Sequence, residues 1–388
     1  MNSRIRHVVL FVHLWLGLIV GVYFAAIGLS GSVLVFEREL EDQARPEIAH
    51  TVPHPSKSSL LTYAELSERV RRDHPEITQD NLSRIALPRV PGGAYSIALS
   101  GPRPLMDQRV LSIDPYTGAV MRDVTKRNTF AGFARMLHAC LLLDLPGYLY
   151  NGVGGALATV LLLSGLWLWW PAAWRQLKAR ITIKRGVGLA RGNRDLHNVV
   201  GFYSLVVLLI VTVTGIALCF YGPVQKAVYA AMHTPHTEEP KVTPPVDATK
   251  RLPAEALLAI ANQALPMARA TSFTYPTNTD EPFVCSKEFT LEGFTNYAEV
   301  VVDPYTGRVL QIQDEHKDPL GARIMRVVCN LHFGWWGGMA SKIVYAVLGA
   351  TPLILFVSGV LMYTQKRNAR RRSELRRRAS EPEKEYVR

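Results

Sequence analysis

The run Ser112-Ile113-Asp114-Pro115-Tyr116-Thr117-Gly118 returns as Val301-Val302-Asp303-Pro304-Tyr305-Thr306-Gly307. In both copies β-formers lead into a turn sequence, in which Asp can accept from amides just ahead of it and Gly can take the left-handed conformation. A turn repeated at this length marks a chain written twice. Working outward, Met136-Leu137-His138 precedes one apolar stretch and Asn330-Leu331-His332 precedes another. Ser164-Gly165-Leu166-Trp167 is answered by Ser358-Gly359-Val360-Leu361, and His13, Gly31 and Phe36 fall on His197, Gly215 and Phe220 at one common offset.

The apolar stretches cover 8–36, 148–170, 199–221 and 343–363. Each has the roughly 20 residues needed to cross a bilayer. The first is too long for the core of a signal peptide and has no small-residue cleavage site, so it reads as a retained anchor. Glycines at 17, 21, 28 and 31 would let a neighbouring helix approach closely.

The formal net charge of +12 raises nucleic acid as a partner, and the placement of that charge excludes it. Arg175, Lys178, Arg180, Lys184, Arg185, Arg191 and Arg194 crowd the short link between the second and third stretches. A second basic run, from Lys366 to Arg378, follows the fourth. By the positive-inside rule these segments and both termini are expected in the cytoplasm of a bacterial inner membrane, facing the lipid surface. The long segments then face the periplasm.

The expected division is a cytoplasmic N-terminus and first span (1–36), an outer domain (37–128), the His138 segment with the second span (129–172), and a basic cytoplasmic loop (173–197). The third span (198–222), a second outer domain (223–320), the His332 segment with the fourth span (321–364) and a basic tail (365–388) follow. Both halves enter from the same side, so the fold class is membrane α-helical, with four transmembrane helices in two parallel repeats. Each outer domain reads as a small α+β unit. The first has a helix over 62–73, with Leu66 and Val70 on one face and Pro75 beyond its end, then strands over 95–100 and 109–113, the turn, and a further short strand. The second has a helix over 253–265, a strand over 297–302, the turn, and a strand over 309–312.

Four of the eleven histidines hold repeat-related places. His13 lies inside the first span and His197 begins the third. His138 and His332 precede the outer starts of the second and fourth. Ionisable groups at membrane depth are costly and commonly functional. Neutral imidazole is a common ligand of haem iron. One ligand from each half, matched by depth, pairs His13 with His197 and His138 with His332, and each pair would sandwich a haem. Helix packing, a proton relay or a metal path would use the same residues. The spans carry no carboxylate before Glu37, which counts against a proton-coupled carrier. His233 and His236 flank Pro235 and read as solvated loop residues, and Trp335 and Trp336 could pack against a porphyrin.

Cys140, Cys219, Cys285 and Cys329 form neither CxxC nor CxxCH, which excludes covalent c-type haem and a thiolate cluster. Three of them face an oxidising side, which leaves a disulfide open. No GxGxxG or GxxxxGK[ST] is present. The electron donor of a reductase built this way would be membrane quinol or a separate cytoplasmic or membrane reductase.

The run from Leu137-His138 to Pro146-Gly147, followed by Leu162-Leu163-Ser164-Gly165-Leu166-Trp167 up to Pro171, resembles the PepSY-associated transmembrane family. His13-Leu14-Trp15-Leu16-Gly17, the two Asp-Pro-Tyr-Thr-Gly turns and Leu331-His332-Phe333-Gly334 carry the same resemblance, which covers about 8–365. It implies a PepSY-like periplasmic domain in each half and b-type haems held by His13, His138, His197 and His332. It further implies kinship with FoxB-type inner-membrane ferrisiderophore reductases, whose substrate is a ferric siderophore and whose catalysis is outer-sphere electron transfer with no acid–base residue. Two readings of another class remain beside it: a non-redox regulator whose outer domains bind peptides or restrain a protease, and a permease for iron or siderophore.

Overall fold

The computed structural model describes residues 3–380, apart from 54–58, 100, 172, 185, 236–239, 245–250, 292–293 and 315–317. His54, His236 and His316 therefore lie outside the described residues. In chain order, the elements that matter below are α1 (Ser3–Leu34), α2 (Tyr63–Asp73), β1 (Arg84–Ala86), β2 (Tyr95–Leu99), β3 (Arg109–Ile113), β4 (Val120–Thr125), α3 (Phe130–Cys140), α4 (Leu145–Trp169) and α5 (Leu189–Cys219). They continue with α6 (Ala254–Ala264), β5 (Arg269–Thr274), β6 (Phe283–Leu291), β7 (Phe294–Val302), β8 (Val309–Asp314), α7 (Leu320–Phe333), α8 (Gly338–Gly349) and α9 (Thr351–Ser380). The chain divides into a helical unit (Met1–Ser32, Asn151–Ile216, Val344–Arg388) and a sheet unit (Val33–Tyr150, Ala217–Ile343).

Among the described residues, four helices are long and apolar enough to cross a membrane: Ser3–Leu34, Leu145–Trp169, Leu189–Cys219 and Gly338–Arg377. The last comprises α8 and α9, interrupted at Ala350 just ahead of Pro352, whose ring is tolerated in a first helical turn and not in a helix interior. The helices overrun the apolar stretches. α5 starts at Leu189, so part of the segment expected as a basic loop is helical and His197 sits within a helix. Arg191 and Asp195, 4.0 Å apart on one face of that extension, carry the helix past the apolar run.

Val20, Phe24, Ala158, Leu162 and Leu208 form the buried centre of the helical unit. Glycine sets the closest approach there. A methyl at Gly28 would lie 2.3 Å from the carbonyl oxygen of Gly349, and one at Gly349 would lie 2.6 Å from Ser32 Oγ. At Gly28 the two backbones meet directly, because glycine there carries no side chain to hold them apart.

The strands expected as two small domains lie in one antiparallel eight-stranded sheet of order β4-β3-β2-β1-β5-β6-β7-β8. Its two halves meet where β1 pairs with β5, with Ile85 opposite Phe273. Pairing them covers two edges that separate four-stranded sheets would expose. α2 and α6 pack on the sheet through Leu66, Val70, Leu257 and Ala261, against Ile85, Ile97, Leu111, Phe273, Phe283 and Val300. α2 opens on a capping box, in which the Thr62 hydroxyl accepts from the Glu65 amide and Glu65 accepts from the Thr62 amide. Both repeated turns form as expected. Asp114 Oδ1 accepts from the amides of Tyr116 (2.7 Å) and Thr117 (3.2 Å), and Asp303 Oδ1 from those of Tyr305 (2.8 Å) and Thr306 (3.3 Å). Gly118 and Gly307 close them at φ +75° and +73°.

β6 turns a lysine inward. Lys287 is fully buried, and its ammonium donates to the carbonyls of Ala261 (3.2 Å) and Leu265 (2.8 Å) and to Asn262 Oδ1 (2.9 Å). It thereby caps the C-terminal end of α6, where carbonyls lack intrahelical partners and the helix dipole favours a cation. Burial pushes its pKa down, and burial pushes the neighbouring Cys285 thiol up to about 11. All four cysteines are free, and Cys140 and Cys285 are buried.

Candidate functional site

Within the helical unit, His13 of α1 and His197 of α5 face each other with ring centroids 6.5 Å apart and ring planes at 89°. Each ring is fixed by the same device from another helix. His13 Nδ1 lies 3.0 Å from Ser164 Oγ on α4, and His197 Nδ1 lies 2.8 Å from Ser358 Oγ on α9. Gly165 makes room for the His13 ring, whereas a side chain at Gly359 would sit in ordinary contact with the His197 ring. A methyl at Gly165 would come 3.0 Å from His13 Cε1, and one at Gly359 would come 3.7 Å from His197 Cε1. The repeated serine thus anchors each histidine. Trp169, five residues beyond Ser164 on α4, stacks on Phe202 of α5 (4.5 Å, 21°), and its buried indole Nε1 has no hydrogen-bond partner.

Within the sheet unit, His138 near the end of α3 and His332 near the end of α7 stand 5.9 Å apart, ring planes at 46°. Both helices stop just beyond in a left-handed residue. After α7 this is Gly334 at φ +71°, with no steric cost. After α3 it is Leu141 at φ +53°, followed by Leu142 (+61°) and Asp144 (+60°). Three non-glycine residues in that region within four positions store strain, which collects at functional sites. Asp144 stabilises the segment by accepting from the Leu145 amide at 2.7 Å.

From His332 a series of ring contacts runs through Phe333 (5.5 Å) and Trp335 (stacked on Phe333 at 4.6 Å) to Tyr297 of β7 (5.9 Å). Tyr297 is 43% exposed. Of the two tryptophans singled out in the sequence, Trp335 belongs to this series, while Trp336 is 40% exposed.

The donor set indicates what these pairs could hold. Two imidazoles that ligate one metal from opposite faces have ring centres about 6 Å apart, given metal–nitrogen bonds of about 2 Å. Both observed separations, 6.5 and 5.9 Å, suit that arrangement. Edge-on ring packing spans the same range. The difference lies in the Nδ1 contacts of His13 and His197, which orient the rings as metal-bound histidines are oriented by outer partners. Among the described residues no group of three or more His, Cys, Asp or Glu could hold a bare ion. A pair of histidines completes a coordination shell when the ligand brings its own equatorial nitrogens, as a porphyrin does. The residues present thus fit haem: His13 with His197 could hold one, and His138 with His332 another.

Depth in the sequence indicated both pairings. The anchoring serines were visible as a repeat, Ser164-Gly165 and Ser358-Gly359, and their partners were not, because a helix-to-helix contact leaves no local pattern. A search of curated proteins finds no match to this chain. The sequence profile of the PepSY-associated TM region matches residues 10–366. With that match spanning nearly the whole chain and four membrane-length helices in place, the protein is a membrane protein that belongs to the PepSY-associated TM region family.

Proposed function

We propose that this protein is an inner-membrane haem b protein that reduces ferric siderophores on the periplasmic side, releasing Fe(II) for uptake. The observation that carries the reading is that all four repeat-related histidines fall into two pairs, 6.5 and 5.9 Å between rings. Haem supplies one-electron chemistry when bound. The chain's own contribution is to bring four imidazoles together as two pairs, His13 and His197 within apolar helices and each held by a serine hydroxyl, His138 and His332 near the ends of α3 and α7. Membrane quinol or a separate reductase supplies the electrons, since the chain has no nucleotide fingerprint.

The substrate class follows from ligand chemistry. Hard oxygen chelators hold Fe(III) far better than the softer Fe(II), so a single electron loosens the complex and leaves the chelator intact. No general acid or base is required. The Phe333–Trp335–Tyr297 series connects His332 to an exposed ring and supports acceptor contact on that side. Orientation rests on the basic 173–197 segment and tail, which the positive-inside rule assigns to the cytoplasm.

The test is an absorption spectrum of the purified protein, oxidised and dithionite-reduced, with a pyridine haemochrome assay. Two b-type haems per chain, reoxidised on adding a ferric siderophore, are expected. Absence of haem after expression with ample haem supply would end this reading and favour the non-redox regulator.

A further inference from the structure

Ser164 Oγ lies 3.0 Å from His13 Nδ1 and 2.9 Å from the carbonyl oxygen of Leu161, one turn back in its own helix. Ser358 Oγ lies 2.8 Å from His197 Nδ1 and 3.1 Å from the carbonyl oxygen of Leu355. A hydroxyl has one proton and two lone pairs. A carbonyl oxygen can only accept, so the hydroxyl proton goes to Leu161 in one case and Leu355 in the other. Toward the histidine the serine oxygen then accepts, which requires a proton on Nδ1. A neutral imidazole carries one proton, so Nε2 keeps its lone pair.

From this geometry we infer that Ser164 and Ser358 are positioning residues that hold His13 and His197 in the Nδ1–H tautomer and reserve Nε2 as the metal-ligating nitrogen. The inference rests on the haem reading for its purpose and on the hydrogen-bond chain alone for its content. An Nδ1–H left without an acceptor in apolar surroundings is costly. Nδ1–H to hydroxyl to carbonyl satisfies all three groups without a charge. The carboxylate that often orients a metal-bound histidine would add a buried anion, and the hydroxyl avoids it. The arrangement occurs twice, on helix pairs α1–α4 and α5–α9.

An Nδ1–H that donates to a good acceptor makes the imidazole a stronger electron donor, which stabilises the oxidised metal. Loss of that acceptor should raise the midpoint potential of the haem held by the pair. The experiment is a redox titration of the full haem-loaded protein as wild type, S164A, S358A, the double variant and S164T. The expected result is an upward shift of one of the two haems in each single variant, a larger shift of that same haem in the double variant, and a wild-type value in S164T, which keeps the hydroxyl. Wild-type potentials in S164A and S358A, with haem content intact, would overturn the inference and leave the haem reading standing.

A second measurement needs no bound haem. Histidine-¹⁵N spectra of the full chain produced without haem supply report the tautomer directly. His13 and His197, assigned by their loss in H13A and H197A, are expected as Nδ1–H, and as a changed mixture in the serine-to-alanine variants. Nε2–H in the wild type would overturn the inference. Absence of haem from a chain showing Nδ1–H would instead overturn the haem reading.

Discussion

His138 and His332 approach to 5.9 Å although the strands that precede their helices, β4 and β8, are the two outermost of the sheet. Replacing either histidine with alanine is expected to remove one haem of two and to leave the His13–His197 site loaded. Haemochrome content per chain, with the full-length protein still monodisperse in detergent, checks this. Loss of both haems from H332A would mean that the two sites do not load independently.

Trp335 should matter for delivery and not for haem retention. It contacts Phe333 and Tyr297 and lies three residues beyond His332. W335A is expected to keep wild-type haem content while reoxidation by a ferric siderophore slows several-fold in stopped-flow absorbance. Unchanged reoxidation would remove the ring series from the acceptor path.

The crossing of α1 with the helix ending at Gly349 tolerates no side chain. G28A would drive a methyl to within 2.3 Å of a backbone oxygen, which cannot rotate away. Overpacking of this kind costs about 1–3 kcal/mol. Thermal unfolding in detergent should fall accordingly, while G222A, at a glycine with open space around it, should lie close to wild type.

Much of this architecture was legible in the sequence and some was not. Spans, both repeated turns and the α2 and α6 helices follow from apolar length, turn chemistry and helical spacing, which are local signals. β6 was hidden because its inward positions read Phe283, Cys285, Lys287 and Phe289, and a lysine breaks the expected apolar alternation. β1 has only three residues, too few for any period to register. The joining of eight strands into one sheet depends on β1 finding β5, a distant contact without a local signature. The histidine pairs were legible because repeat symmetry substitutes for distance information.

Lys287 offers a direct check on that hidden strand. K287M keeps an apolar side chain of comparable length and removes three hydrogen bonds from the end of α6. Bonds made by a charged group carry about 1.5–3 kcal/mol each, less what the buried ammonium loses in hydration, so a net loss of about 1–3 kcal/mol is expected. Chemical denaturation followed by circular dichroism measures it.

Asp303 sets a pH dependence. Partial burial would raise its pKa, but hydrogen bonds from Tyr305 and Thr306 outweigh this and hold it below the ordinary carboxylate value. A carboxylate whose folded pKa is lowered stabilises the fold fully above its unfolded value of about 3.9 and loses that contribution as pH falls through the folded value. D303A should therefore melt below wild type at pH 7, and the gap should narrow as the pH is taken below about 4. A gap constant from pH 7 to pH 3 would show that the carboxylate charge contributes nothing.

The β1–β5 seam has a mechanical consequence. From Ile85 opposite Phe273, hydrogen bonds run outward through each half-sheet to β4 and β8, and the chain then returns through α3 and α7 to His138 and His332. Those two rings close a circuit in which each remaining link is covalent or part of a β-ladder. A ligand held between them would tie the outer ends of the two half-sheets to each other. The two ends of the sheet that lie farthest apart in strand order would thus be joined through one small molecule.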